Sequence, residues 1–234
     1  MTDIHTHIVP NVDDGARNME ESLALLELLA AQGVCSLIAT PHFYADKCLD
    51  LGAHIERMEK AFKELKSNLK EGMPQIYLGH EVLYFNGISS CEDIKKLTIN
   101  NSNYILLELP YSDFSSSVIN EIVDINLNLG LTPILAHVER YAAQRGFREV
   151  METVREGYAL AHVNCDQLLD KKSRKICLKL IKEGLISFIA TDTHSTEFRP
   201  PRMEEARILL EKKIGRGFIE EMNKKAQMLI ASGE

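Results

Sequence analysis

Residues 2–16 read "TDIHTHIVPNVDDGA", and this stretch places two histidines and three aspartates at the start of the chain. His5 and His7 are two residues apart, so a β-strand would present both imidazoles on one face. Asp13 and Asp14 follow in a turn that Gly15 closes, and we interpret Asp13 as ordinary turn chemistry. The stretch therefore predicts a short first strand that carries metal-binding histidines on one face.

Short apolar segments with β propensity alternate with longer amphipathic segments along the whole chain. The predicted strands cover residues 2–5, 36–40, 76–82, 104–109, 132–136, 159–163 and 187–190. The predicted helices cover residues 19–32, 51–71, 116–130, 147–156 and 173–184, and residues 202–230 form one or two more, broken near Gly215 and Gly217. Asn18 and Glu21 are placed as the N-cap and N3 partner of the first helix, and Gly33 as its stop.

This alternation predicts an α/β fold in which crossover helices join parallel strands. Seven strands without a linker rich in Pro, Gly or Ser favour a distorted (β/α)7 barrel in a single domain of residues 1–234, with closing helices from about residue 202. A doubly wound open sheet is the alternative. In a parallel barrel the active site is built at the C-terminal ends of the strands.

Nearly every predicted strand ends in a side chain that can bind a metal ion. The candidate ligands are His5, His7, Asp14, His42, Glu81, Glu108, His137, Asp192 and His194. They would converge at one face of a barrel. A single tetrahedral Zn²⁺ takes about three or four protein ligands, so this set suits two or three bridged ions. Imidazoles and carboxylates without sulfur suit Mn²⁺, Fe or Zn²⁺, and the share of oxygen favours Mn²⁺.

Three other histidines are left out of this set. His54 lies in a charged helical segment and is expected at the surface. His80 would point to the strand face opposite Glu81, and His162 lies inside a strand without an acidic neighbour. Of the three, His162 is the first to reconsider.

Two arginines follow predicted ligands at the barrel mouth, Arg140 in "AHVERY" and Arg199 in "THSTEFRPPR". A guanidinium beside a metal cluster is costly unless it meets anions, and its planar fork fits phosphate oxygens. A salt bridge to a neighbouring acid, such as Glu139 or Glu197, is the alternative for each arginine. Arg140 and Arg199 are therefore candidate phosphate-binding residues.

Composition excludes several classes of protein. The formal net charge is −7 and the lysine pairs are isolated, which disfavours a general nucleic-acid binder. No apolar run approaches the roughly 18 residues that span a bilayer and no signal peptide is indicated, so we expect a cytoplasmic protein without membrane insertion. The five cysteines are scattered and form no C-x-x-C pair, which argues against disulfides and a thiolate zinc site. None has an arginine six residues further on, which excludes a cysteine-dependent tyrosine phosphatase.

These residues together resemble the polymerase and histidinol phosphatase (PHP) superfamily, whose signature is an N-terminal H-x-H and a late D-x-H. Here the two motifs are "HTH" at residues 5–7 and "DTH" at residues 192–194. More narrowly, "DIHTHIVPNVDDGA", "ATPHF", "HVERY" and "THSTEFRPPRM" look like the manganese-dependent protein tyrosine phosphatases of bacterial capsule and exopolysaccharide operons. The chain departs from that family at Val138, where proline is usual, and at residues 164–175, which lack the expected glycines.

The resemblance implies a PHP-type barrel whose nine ligands hold three metal ions at the mouth, with phosphate bound by Arg140 and Arg199. It also implies a phosphotyrosine protein as substrate, namely the tyrosine-rich tail of a capsule-type tyrosine kinase. Two alternatives remain open: a phosphatase for histidinol phosphate or another small phosphomonoester, and a non-catalytic, metal-stabilised binding partner. The second would be expected to have lost ligands, and all nine are present. The sequence does not indicate the oligomeric state.

Overall fold

The computed structural model describes residues 1–233, in which all strand pairs are parallel. The strands are β1 Thr2–Thr6, β2 Ser36–Ala39, β3 His42–Phe43, β4 Gln75–Leu78, β5 Glu81–Leu83, β6 Tyr104–Glu108, β7 Thr132–Leu135, β8 Leu160–Asn164 and β9 Phe188–Ala190. The helices are α1 Met19–Ala31, α2 Leu51–Ser67, α3 Ser116–Leu129, α4 Phe147–Arg155, α5 Cys165–Leu169, α6 Arg174–Lys182, α7 Met203–Lys213 and α8 Arg216–Ala231. Short 3₁₀ turns cover Ala45–Lys47, Ile88–Ser90, Glu92–Leu97, Ile99–Asn101 and Val138–Tyr141.

Two of the predicted strands are bent in the middle. β2 and β3 are separated by Thr40 and Pro41, and β4 and β5 by Gly79 and His80. Proline has no N–H to give to a strand ladder, and a side chain on Gly79 would lie 3.0 Å from Ile99. Backbone hydrogen bonds continue across both bends, from Gly79 N to Ala39 O at 2.8 Å and from Glu81 N to Pro41 O at 3.1 Å. Each pair therefore acts as one strand, and the nine segments count as seven.

These seven strands form a closed ring. The sheet orders are β1-β2-β4 and β3-β5-β6-β7-β8-β9, and the two bent strands belong to both. The ring closes where β1 meets the end of β9, through a bridge between Thr6 and Thr193 and hydrogen bonds of 2.9 Å from His7 N to Thr193 O and from Asp192 N to His5 O. The predicted barrel is confirmed, and the doubly wound open sheet is excluded by this closure.

The helices follow the predicted pattern with local differences. Asn18 caps α1 by accepting the Glu21 N–H at 2.9 Å, as predicted. α2 ends at Ser67 rather than at Glu71, and the short helix α5 and the 3₁₀ turns were not predicted. The C-terminal segment divides into α7 and α8 at Gly215, whose φ is 113°.

The packing of the barrel fixes the first strand and its neighbours. Aliphatic or aromatic side chains from every strand join one hydrophobic cluster. β1 is buried along its whole length although most of its residues are polar. α8 packs beside it, with Asn223 Oδ1 accepting the Thr2 N–H at 3.2 Å. The polar ends of the strands are thereby held rigidly at one mouth. Within residues 1–233, no helix is long and apolar enough to cross a membrane.

Candidate metal centre

The structure brings all nine candidate ligands together at the C-terminal mouth of the barrel. Three overlapping groups have ligand atoms within 4.8 Å of one another, namely His7, Asp14, His42 and His194; His5, His7 and Glu81; and His42, Glu81 and Glu108. The other two candidates lie against these groups, with His137 Nε2 3.0 Å from Glu81 Oε1 and Asp192 Oδ1 3.5 Å from His5 Nε2. Glu81 lies at the centre, because its Oε2 faces three imidazoles.

Two of these histidines have their outer nitrogen bound to an oxygen that can only accept. His7 Nδ1 lies 2.7 Å from the carboxylate of Asp13, and His194 Nδ1 lies 2.9 Å from the backbone carbonyl of Asp192. Both Nδ1 atoms must therefore carry a proton and donate. The neutral tautomer then leaves the lone pair on Nε2, which is the atom that points into the cluster.

A buried histidine outside the predicted set has the same effect on His5. His162 Nε2 accepts the backbone N–H of His137 at 3.3 Å, so it carries no proton. His5 Nδ1, 3.0 Å away, must then be the donor, and its Nε2 is free for the cluster. Likewise Tyr141 donates its hydroxyl to Leu109 O at 3.0 Å and lies 3.4 Å from His137 Nδ1. Such outer hydrogen bonds, which fix the tautomer and the ring orientation, are typical of metal-ligating histidines.

The backbone turns sharply to deliver two of the ligands. His137 and Asp192 have φ values of 36° and 51°, in the left-handed region that side chains other than glycine rarely adopt. Strain of this kind concentrates at functional sites. The loop after β1 has a related constraint, because a Cβ on Gly15 would lie 2.2 Å from His7 O. Only glycine lets this loop fold back so that Asp14 reaches the cluster.

The carboxylates make the cluster attractive to positive charge. Burial alone would lower the pKa of His7, but hydrogen bonds to Asp13 and Glu81 raise it to about 9. For His42 too, burial alone would lower the pKa, but hydrogen bonds to Asp14 and Glu81 raise it to about 10. A site that stabilises protonated imidazoles also stabilises a bound cation, which replaces the protons.

Crowding of negative charge also affects the acids at this mouth. Burial, and then the charge of Glu81, raise the pKa of Glu108 to about 7. Burial also acts to raise the pKa of Glu81, yet the charge of His5 and hydrogen bonds to histidines hold it well below its usual range. The central carboxylate is therefore ionised, and the peripheral one is poised between its two forms.

Both candidate arginines bind a predicted ligand rather than a neighbouring acid. The Nη2 atoms of Arg140 and Arg199 lie 2.7 and 2.6 Å from Oδ2 of Asp192. Asn164 donates its amide to the same oxygen at 2.7 Å. The alternative salt bridge of Arg140 to Glu139 is not formed in residues 1–233, where Glu139 is buried and accepts the Asn164 N–H at 3.3 Å.

The donors at this mouth fit a metal cofactor. Glu81 Oε2 and His194 Nε2 are buried and have no well-directed hydrogen-bond partner in the described chain, although both point into the cluster. Buried polar atoms without a partner are costly, and a cation coordinated by nitrogen and oxygen would satisfy them. The ligands are imidazole and carboxylate only, which suits hard or borderline divalent ions.

The interpretations of Asp13 and His54 change at this site, and two more residues, His162 and Asn164, contact the ligands in ways that the sequence did not predict. Asp13 does make the expected turn, accepting the Gly15 N–H at 3.0 Å, but it also orients His7. His162, which was left out of the ligand set, belongs to none of the three ligand groups, but it orients His5. His54 is half-buried against Phe43 rather than at the surface, with ring centroids 5.1 Å apart. Asn164 was not singled out at all, because no sequence pattern marks an amide that contacts a residue 28 positions away.

Comparison with known proteins gives similarity over almost the whole chain. A family model for capsular polysaccharide synthesis, CpsB/CapC, matches residues 1–231. YwqE of Bacillus subtilis, named a tyrosine-protein phosphatase, is 28% identical over 237 residues, covering 98% of this chain and 91% of that protein. CpsB of Streptococcus agalactiae, also named a tyrosine-protein phosphatase, is 29% identical over 225 residues, covering 88% of each.

Solved structures agree with these sequence similarities. A structure from the pair YwqE of Bacillus subtilis and CpsB of Streptococcus pneumoniae, described as metal-dependent tyrosine phosphatases, gives a TM-score of 0.84 at 26% identity, covering 99% of this chain and 95% of that chain. A histidinol phosphate phosphatase from Lactococcus lactis gives a TM-score of 0.56 at 15% identity, covering 92% of this chain and 95% of that chain. The second similarity is one of fold.

Proposed function

We propose that this chain, which belongs to the CpsB/CapC family of capsular polysaccharide synthesis, is a metal-dependent protein tyrosine phosphatase. The observation that carries the proposal is the arrangement of the mouth, where histidines with proton-bearing Nδ1 atoms turn their Nε2 atoms towards Glu81 and its neighbours. Two arginines lie beside this cluster on Asp192. The names and structure of relatives at 26–29% identity support the same activity.

The cofactor is a metal, and we propose three Mn²⁺ ions held by the nine ligands. Three overlapping groups of ligand atoms support this number, because each group offers at least three donors and neighbouring groups share His7, His42 or Glu81. The oxygen share of the set favours Mn²⁺, with Fe and Zn²⁺ as alternatives. Bound divalent ions would supply Lewis acidity, which acidifies water and neutralises charge on phosphoryl oxygens.

The residues of the chain supply orientation and charge complementarity. Asp13 and His162 hold the rings of His7 and His5 in one orientation and one tautomer. Arg140 and Arg199 are placed to exchange Asp192 for equatorial oxygens of a phosphate, which a guanidinium binds through paired N–H donors. Tyrosine leaves readily because its hydroxyl has a pKa near 10, so the site needs no strong general acid.

The substrate class is phosphotyrosine on a protein, and we propose the tyrosine-rich tail of a capsule-type tyrosine kinase. A flexible tail can bring its tyrosines to a recessed mouth more easily than a folded domain can. We also propose that residues 1–234 act as one domain in the cytoplasm. The five unpaired cysteines suit a reducing compartment.

The activity is tested with protein freed of metal and reloaded with Mn²⁺. We expect it to release phosphate faster from a phosphotyrosine peptide than from histidinol phosphate, because relatives named tyrosine-protein phosphatases are 28–29% identical to this chain, whereas the similarity to a histidinol phosphate phosphatase is one of fold at 15% identity. Initial rates over a range of each substrate give kcat/KM. The reverse preference would contradict the substrate assignment, and no turnover of either ester by metal-loaded protein would favour the non-catalytic alternative.

A further inference from the structure

A cavity opens beside the metal centre, and two of the candidate metal ligands line it. Its volume is about 370 Å³, and its lining includes the ligands Asp14 and His42. The rest of the lining comes from the loop between β1 and α1, which carries Val12 and Asp13, from the connection between β3 and α2, and from the first turns of α2. A group bound at the metal centre would therefore have this cavity directly next to it.

One wall of the cavity is formed by His42, Tyr44 and Lys47, which contact one another in that order. The ring of Tyr44 stacks on that of His42, with centroids 5.1 Å apart and an interplanar angle of 27°. Lys47 Nζ lies over the ring of Tyr44, 4.1 Å from its centroid. Lys47 is exposed and has no carboxylate partner within residues 1–233. The ammonium group of Lys47 therefore lines the cavity without an ion pair in the described chain.

The opposite wall, on α2, carries a second uncompensated cation. Arg57 is exposed and makes no ion pair in the described chain. His54 beside it has its pKa lowered by burial and by the charge of Arg57, and its buried Nε2 has no hydrogen-bond partner there.

The acids of this cavity are already engaged elsewhere. Asp13 is bound to His7 at 2.7 Å, and Asp14 lies 3.4 Å from both His42 and His194. No other acid belongs to the lining. The lining thus holds two acids that contact histidines of the metal centre and two cations, Lys47 and Arg57, that make no ion pair in the described chain, whose formal net charge is −7. A local positive surface on an acidic protein selects for anionic groups and steers them inward.

We propose that this cavity is a subsite for a carboxylate side chain that flanks the phosphotyrosine of the substrate. The proposal rests on the proposed function and adds to it a preference for acidic residues next to the tyrosine. The guanidinium of Arg57 can bind a carboxylate through two N–H donors, and Lys47 adds a point charge. Tyr44, whose ring contacts both His42 and Lys47, holds this cation close to the metal centre.

The size of the preference follows from exposure. Both cations are exposed, and exposed ion pairs contribute about 0.2–1 kcal/mol, which corresponds to roughly a 1.4- to 5-fold change in affinity. The preference should weaken with salt, because the Debye length falls from about 10 Å at 0.1 M to about 3 Å at 1 M. Side chains that bound only through burial would lack this dependence.

The test measures binding separately from turnover. Two fluorescent peptides carry phosphonomethyl-phenylalanine in place of phosphotyrosine, one flanked by glutamates and the other by glutamines, and their dissociation constants with Mn²⁺-loaded protein are measured by anisotropy. We expect the glutamate peptide to bind at least about twofold more tightly. Arg57→Ala and Lys47→Ala should each reduce this ratio by about 1.4- to 5-fold, and Arg57→Glu should reverse the preference. Lys60→Ala, one turn further along α2 and outside this lining, is the matched control and should keep the ratio.

Each result has a definite meaning. Equal binding of the two peptides, binding of neither, or a ratio that Arg57→Ala and Lys47→Ala leave unchanged would overturn the subsite. A retained ratio in protein that fails to hydrolyse the phosphotyrosine versions of these peptides would leave the subsite standing and overturn only the proposed function. The two proposals can therefore fail independently.

Discussion

Oxygen Oδ2 of Asp192 accepts hydrogen bonds of 2.7 Å from Arg140 and from the amide of Asn164, and it forms an ion pair with Arg199 at 2.6 Å. Oδ1 of the same carboxylate faces the histidines, 3.5 Å from His5 Nε2. The two oxygens thus have separate tasks, since one meets the cluster and the other holds the arginines. If a phosphate bound to the two arginines as we propose, Asn164 would still hold Asp192 in position.

The first prediction concerns Arg199, one of the two arginines that contact Asp192. Arg199→Ala should lower kcat/KM on a phosphotyrosine peptide by about 10²-fold, the order of magnitude seen when one preorganised donor to transition-state charge is removed. Metal content, measured by elemental analysis of the same preparation, should not change, because Asn164 and Arg140 still bind Asp192.

Arg202→Ala is the matched control for Arg199→Ala. Arg202 lies three residues away and pairs with Glu205 at 2.7 Å, outside the cluster. It should keep wild-type kcat/KM. Loss of metal from Arg199→Ala would show instead that this arginine serves the stability of the centre.

The residues that sequence reasoning identified share one property, which is that strand order alone brings them together. His42, Glu81 and Glu108 could be predicted because parallel strands end at one edge. Asp13, His162 and Asn164 could not, since each acts by touching another side chain of the site. Such contacts depend on the closure of the barrel and on rotamers, which a single sequence does not specify.

Among the elements, the closure between β1 and β9 depends on one buried carboxylate. Asp3 is inaccessible to solvent and accepts the backbone N–H of Thr191 at 3.1 Å and its hydroxyl at 2.5 Å. These bonds tie the first strand of the ring to the last one, next to the ligands at residues 5 and 192. Loss of the hydroxyl would leave an oxygen of Asp3 buried without its donor.

The second prediction therefore concerns stability at this closure. Thr191→Val keeps the shape of the side chain and removes the hydroxyl, so it should lower the free energy of unfolding by about 1–3 kcal/mol. For a chain of this length, that corresponds to a fall in Tm of roughly 2–4 °C per kcal/mol. Denaturant unfolding of metal-free protein measures the change without the contribution of bound ions.

Thr191→Ser provides the comparison for Thr191→Val, because serine keeps the hydroxyl and loses only a methyl group. It should retain the larger part of the stability. A Thr191→Val variant as stable as the wild type, beside a destabilised Thr191→Ser variant, would show that the methyl group, and not the bond to Asp3, holds the strands together.

Element boundaries show where the sequence was sufficient and where it was not. Helix α1 was predicted closely because Asn18 is a preferred cap residue and lies directly before the amphipathic segment. The strand predicted over 76–82 divides at Gly79, since the chain there passes too near Ile99 for a side chain. The 3₁₀ turns of residues 88–101 have neither helical nor alternating periodicity, so nothing in the sequence indicates them.

At the scale of the whole molecule, the mouth of the barrel concentrates acids and histidines that are buried together. Asp192 is ionised, because the charges of His5 and His7, together with Arg199, outweigh the effect of burial on its pKa. Buried charged groups lower the stability of a fold unless they are paired or coordinate a metal. Removal of the metal should therefore weaken the fold as well as the activity.

The third prediction is that Tm rises with the concentration of free Mn²⁺. An ion that binds only the folded state at 100 times its Kd adds about 2.7 kcal/mol, or roughly 5–10 °C for a protein of this size. Calorimetry of chelator-treated protein titrated with Mn²⁺ should show a Tm that goes on rising with the logarithm of the free Mn²⁺ concentration once this exceeds Kd. His42→Ala should reduce this rise, because His42 belongs to two of the three ligand groups, whereas His54→Ala should change the starting Tm and keep the rise. An unchanged Tm in saturating Mn²⁺ would mean that the ions contribute nothing to the folded barrel, and elemental analysis finding one ion per chain would contradict the three-ion centre.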